Sequence, residues 1–218
     1  MKKLIIPLLF IFAIGILAAV ESEPSAIVGY VKYPCVAGLN HIALPMDQGL
    51  TMASDWAEGY PGMIDAMSYW DANSQMWATA IYLEFWDYWD GDFPVPPGSV
   101  MMIYALSPFN AYSIGNMPAT NATYNLLAGL NDIMIPLNRS DITMASQVGY
   151  EMQALDAMSY WDANSQMWAT AIYLEYWDYW DGDFSVSIGF PMQVYALSPV
   201  TWPSRTISSP VSPTKLSK

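Results

Sequence analysis

Apolar and polar residues alternate along this chain in short runs, each closed by Gly, Pro, Asn or Asp. Such runs, rich in β-branched and aromatic residues and broken by turn formers, predict strands. Ala26–Lys32 (AIVGYVK), the apolar run Ile42–Leu44, Val100–Leu106 and Met192–Leu197 read this way. Gly38-Leu39-Asn40 marks a turn into a buried strand that Pro45 ends. Thr51–Ser54 predicts a short helical turn with Thr51 as its N-cap. Between Ile81 and Phe93 the pattern is mixed. Ile81, Phe85 and Trp89 have helical spacing, yet the Trp, Tyr, Asp and Gly content suits an aromatic-packed loop, so a loop or short helix is expected.

The pattern repeats. Asp65–Phe93 recurs as Asp156–Phe184 with one change, Tyr176 in place of Phe85. Around it, Gly38–Met46 aligns with Gly129–Leu137, and Thr51–Ser54 with Thr143–Ser146. Both copies close on Tyr-Ala-Leu-Ser-Pro, at Tyr104–Pro108 and Tyr195–Pro199. Each repeated segment opens with a predicted hairpin around Asp71–Ser74, in which Trp70 is paired with Gln75 and Trp77 lies diagonal to Trp70. The expectation is an all-β protein of two similar small sandwich-like or barrel-like modules in tandem, with a short helical turn in each. The expected boundaries are 24–108 and 124–199, joined by a linker at 109–123 and followed by a disordered Ser/Pro tail at 200–218.

The order of strand, G-x-N-x-I-x-L-P, a Y-W-D-A-N hairpin with a second Trp, and a P-G turn into a closing strand resembles a repeated β module of exported bacterial proteins. That resemblance covers Ala26–Pro108 and Thr123–Pro199. It implies a secreted or surface-held protein and no particular activity. Leu39 and Leu130 stand where the family often carries Trp, and the catalytic or anchoring domains that accompany such modules have no counterpart here.

The N-terminus agrees. Met1-Lys2-Lys3 precedes 17 uncharged residues, Leu4–Val20, and residues 1–19 read as a secretory signal cut after Ala19. An uncleaved anchor is the rival reading and the one route to membrane contact. Net charge is -13, and between Pro24 and Pro199 18 acids face only Lys32 and Arg139. Such a surface repels a phosphate backbone, which excludes nucleic acid as a partner. Cys35, the one cysteine, aligns with Leu126 and reads as a small buried hydrophobe.

Candidate chemistry concentrates in the acidic aromatic segment. Asp87, Asp90 and Asp92, recurring as Asp178, Asp181 and Asp183, offer hard oxygen ligands that suit Ca²⁺, the one cofactor considered. Trp86, Tyr88 and Trp89, with Trp177, Tyr179 and Trp180, offer stacking faces for sugar rings. His41, the lone histidine, aligns with Asp132 and reads as a surface or turn residue, so no catalytic triad is expected. The leading expectation is a non-catalytic exported structural or interaction protein that associates with its own copies, surface proteins or glycans. A pair of carbohydrate-binding modules is the alternative, and a glycosidase ranks last.

Overall fold

A computed structural model describes residues 28–203; the segment expected to be a signal or anchor, and residues 204–218 of the expected tail, lie outside the described residues. The first module contains β1 (Val28–Cys35), β2 (Gly38–Leu44), α1 (Ala53–Ala57), β3 (Ile64–Asp71), β4 (Met76–Leu83), β5 (Tyr88–Asp90), β6 (Ser99–Ala105) and β7 (Phe109–Asn116). The second contains β8 (Tyr124–Leu126), β9 (Gly129–Met134), α2 (Ala145–Met152), β10 (Leu155–Asp162), β11 (Met167–Leu174), β12 (Tyr179–Asp181), β13 (Pro191–Ala196) and β14 (Val200–Trp202). Each builds one five-stranded antiparallel sheet, ordered β2-β6-β3-β4-β5 and β9-β13-β10-β11-β12. A two-stranded ribbon, β1–β7 or β8–β14, completes each module. The tandem all-β expectation holds.

Local chemistry departs from the sequence reading in four places. Residues 109–116, expected in a linker, form β7 and pair along the whole of β1. Val200–Trp202, expected in the tail, forms β14 and pairs with β8. The hairpin register is two residues away from expectation: Trp70 faces Trp77 directly, and Asp71 faces Met76. The turn is Ala72–Gln75, because Asp71 ends the strand by accepting from the Asn73 N–H and the Ser74 hydroxyl, and Gln75 takes the left-handed conformation (φ 55°). Finally, Ile81–Phe93 continues β4, makes a single 3-10 turn at Glu84–Trp86, and returns as β5. Asp87 makes that reversal in left-handed geometry (φ 49°), a conformation Asp tolerates better than most residues.

The helix sites match in place and differ in detail. Thr51 is not the N-cap; it lies outside α1, and its N–H and hydroxyl, with the Met52 N–H, are gathered by the Asp55 carboxylate. Gln147 does the same for Thr143 and Met144 before α2.

Alternation gives each sheet two faces. Inward, Ile42, Leu44, Met67, Met101 and Ile103 pack under α1 and the ribbon residues Cys35 and Ala111. The second core repeats this with Ile133, Met158, Met192, Val194 and Leu126, and adds Trp202, which has no exposed surface. The opposite face of each sheet meets its counterpart: β2 lies against β10 and β13, and β9 against β3 and β6. Ala43, Val100 and Met134 form an apolar cluster there, flanked by Tyr33 and Tyr124. The contacts are reciprocal. Tyr33 donates to the Gly189 carbonyl at 2.8 Å, and Tyr124 to the Gly98 carbonyl at 2.9 Å. A pseudo-twofold axis therefore relates the modules.

Trp202 stacks on Tyr124, with the Arg139 guanidinium over its ring at 5.9 Å. Trp202→Ala should cost about 3–5 kcal/mol in urea unfolding; a loss below about 1 kcal/mol would contradict the burial of β14. Arg139 also grips Asp141 and Glu151, and its guanidinium holds the Asp141 carboxyl below the usual carboxylate range. With the folded value depressed, this stabilisation is present above the unfolded carboxylate value of about pH 4 and is lost as pH falls through the folded one. Asp141→Asn should flatten the acid limb of the stability–pH curve in that window; an unchanged slope would contradict the assignment.

Candidate functional site

Each 3-10 turn thrusts two aromatic rings into solvent. Phe85 and Trp86 are 89% and 68% exposed, and Tyr176 and Trp177 are 89% and 69% exposed. In each pair the rings meet edge to face, at 5.4 and 5.3 Å between centroids. A mutual edge contact holds an aromatic knuckle together without burying either face. Tyr88 and Tyr179 stand beside it, also exposed. Met76, Trp77 and Ile81 of β4, and Met167 and Ile172 of β11, are exposed as well. The structure brings Trp86 and Tyr88, like Trp177 and Tyr179, to a shared exposed surface.

Trp89 and Trp180 separate from this set. Trp89 is half-buried against the first core, and Trp180 is buried in the second. The difference lies in the helices. Gly149 of α2 sits so close to the Trp180 ring that a Cβ there would come within 2.3 Å of it. Neither indole offers an open stacking face of the kind the sequence suggested.

Both instead wall a cleft. The first, about 340 Å³, is lined by Glu58, Tyr60, Tyr82, Asp87 and Trp89 among others. Its counterpart, also about 340 Å³, is lined by Tyr150, Gln153, Tyr173, Asp178 and Trp180 among others. In each, the tyrosine hydroxyl donates to the aspartate, Tyr82 to Asp87 at 2.6 Å and Tyr173 to Asp178 at 2.7 Å. That carboxylate acceptor pushes both phenols above their ordinary range. In the second cleft Tyr150 also donates to the Asp178 carbonyl.

The six aspartates proposed for Ca²⁺ divide among separate tasks. Asp87 and Asp178 hold the cleft tyrosines. Asp92 accepts from the Ser54 N–H and hydroxyl, and Asp183 from the Ser146 N–H, which pins each helix N-terminus to the sheet. Asp90 accepts from Tyr88, and Asp181 is exposed on β12. Among the described residues, no group of three or more His, Cys, Asp or Glu side chains is placed to hold a metal ion.

The residues most suggestive of catalysis are enclosed. His41 is not a surface residue: its side chain is 1% exposed in β2, where its Nε2 lies 3.5 Å from Asp132. Its ring also meets Trp168 edge-on at 5.5 Å. Cys35 is buried in the first core, as read from its alignment with Leu126, and burial pushes its thiol up to about 11.

Sequence reasoning missed Gln75 and Gln166, which stand in the turn of each hairpin and reach the other module. Their only signal is a long polar side chain at the end of a turn, between Ser and Met. Tyr82 and Tyr173 were likewise passed over, although their spacing of five from Asp87 and Asp178 was legible. Comparison with protein-family models, curated proteins and solved structures finds no match to this chain.

A thiol value near 11 leaves roughly a hundredfold less thiolate than the ordinary group has at the same pH. A disulfide reagent at pH 8 should therefore modify native Cys35 at least tenfold more slowly than the urea-unfolded chain, and equal rates would refute its burial.

Proposed function

We propose that this chain is a non-catalytic, extracellular interaction protein that makes bivalent contacts through its two aromatic knuckles. The observation that carries the reading is the matched exposure of Phe85/Trp86 and Tyr176/Trp177 on modules held in a fixed mutual orientation. Exposed Trp, Phe and Tyr in one patch are the residue types that dominate contact energies. Two linked sites of modest strength gain avidity through effective concentration. The occupant proposed is another copy of the chain or a neighbouring surface protein. With 18 acids against two bases in the body, repulsion between copies is strong until cations or lower pH screen it. Burial of His41 and Cys35 and the structural duties of the aspartates support a role without bond-breaking chemistry.

A second reading is favoured by the twin clefts. Each sets a tyrosine–aspartate hydrogen bond beside an indole, a combination that suits a hydroxylated ring. On that reading the ligand is a glycan and the knuckles form the rim of its site.

Two measurements separate these readings. Sedimentation across protein concentration, with and without millimolar Ca²⁺, should show reversible association of the wild type. The paired substitution Trp86→Ala/Trp177→Ala should weaken it at least tenfold, since hot-spot aromatics contribute about 2 kcal/mol or more each. A wild type that stays monomeric in every condition would refute self-association. Glycan binding abolished by Asp87→Asn/Asp178→Asn, with the fold intact, would establish the second reading in its place.

A further inference from the structure

The face between the modules poses a recognition problem. Its flanking contacts are the same in both directions. Gln166 reaches Leu39 and Gln75 reaches Leu130; Trp161 donates to the Leu39 carbonyl and Trp70 to that of Leu130. Tyr33 and Tyr124 likewise exchange equivalent bonds. Because the hairpins that supply Trp70, Gln75, Trp161 and Gln166 are identical in sequence, these contacts cannot tell one module from the other. On their evidence alone, the first module could pair equally well with the first module of a second chain.

The symmetry breaks in two places: in size, where Ala43 of one module stands at the position of Met134 in the other, and in charge, at the axis. His41 and Asp132 occupy equivalent positions on β2 and β9, and they face each other at 3.5 Å with side chains 1% and 6% exposed. Neither imidazole nitrogen and neither carboxylate oxygen has a hydrogen-bond partner among the described residues. What each meets across the axis therefore matters unusually. The cross-strand neighbours differ as well, Met102 beside His41 and Gln193 beside Asp132. Applied to two first modules, the same axis would set imidazole on imidazole. Applied to two second modules, it would bury carboxylate against carboxylate, a strongly disfavoured arrangement.

We infer that the His41–Asp132 pair is the selector of this interface: it makes the first module accept the second and reject a copy of itself. The interface thereby closes within one chain, and association between chains is left to the outward aromatic surface. A buried pair of this kind contributes little net stability compared with apolar residues; its effect is on partner choice. The inference rests on the internal face alone and stands whether or not the knuckles bind anything.

The test uses intact chains. His41→Asp sets two carboxylates on the axis and Asp132→His sets two imidazoles, so each should lower the urea midpoint of unfolding. The charge-exchanged double variant His41→Asp/Asp132→His should recover at least half of that loss. A stronger readout comes from mixing. Within either single variant no arrangement provides a carboxylate–imidazole pair. Between the two variants every interchain arrangement does, so co-refolding them in equal amounts should give a 1:1 heterodimer of twice the chain mass by light scattering. Each variant refolded alone should not. If His41→Asp alone does not fold, the double variant and the mixture still report the pairing. A double variant no more stable than the singles, or a mixture that stays monomeric, would assign partner choice to the connecting segment 117–123 and overturn the inference.

Discussion

The whole arrangement depends on how two open strand edges are completed. β2 and β9 end their sheets, and an edge strand presents peptide groups that seek a partner. At Leu39 the carboxamide of Gln166 supplies both halves: its Oε1 accepts the N–H at 2.8 Å, and its Nε2 donates to the carbonyl at 2.9 Å. Gln75 repeats this at Leu130, at 2.8 and 3.0 Å. A side-chain amide thus stands in for the peptide of a neighbouring strand. An indole N–H, from Trp161 or Trp70, adds a second donor to the same carbonyl. Gly38 and Gly129 leave room for this; a Cβ at either would lie within 2.7 or 2.5 Å of the glutamine oxygen.

With those edges closed from within, the molecule has distinct inner and outer sides. The sheet faces turned away from the two cores meet each other, sealed by Tyr33, Tyr124 and the His41–Asp132 pair. The far ends carry the short strands β5 and β12, the clefts and the exposed rings. Short terminal strands offer little backbone for edge-to-edge addition, so side chains govern what happens there. This division supports an interaction role: one surface is spent on internal pairing, and its duplicate sets of aromatics are turned outward at fixed spacing.

The sequence disclosed the parts it repeats and concealed what they do to each other. Alternation and turn residues were enough for the all-β class, the tandem modules and the hairpin at Asp71. The register failed by two residues because Asn73 is the more usual left-handed residue, while Gln75 adopts that conformation here and is held by bonds to the other module. Phe109–Asn116 read as a linker because its pairing partner, β1, lies over 70 residues earlier, and no local signal carries such information. His41 aligned with Asp132 as a substitution between copies; that the two would meet on an axis is a property of the assembled pair. The aromatic segment stood out in the sequence as chemically distinctive, but which of its rings face solvent was not legible there. Its four tryptophans divide by element: Trp86 and Trp177 sit in the 3-10 turns that project into solvent, while Trp89 and Trp180 lie on β5 and β12 and turn toward the cores.

Native-state hydrogen exchange at the Leu39 and Leu130 amides tests the edge completion most directly. Both residues lie on outer strands, where an unpartnered amide exchanges fast. The account predicts protection of both, with Gln75→Ala releasing Leu130 while Leu39 stays protected. Rapid exchange of Leu130 in the unaltered chain, or protection that survives removal of the Gln75 side chain, would contradict it.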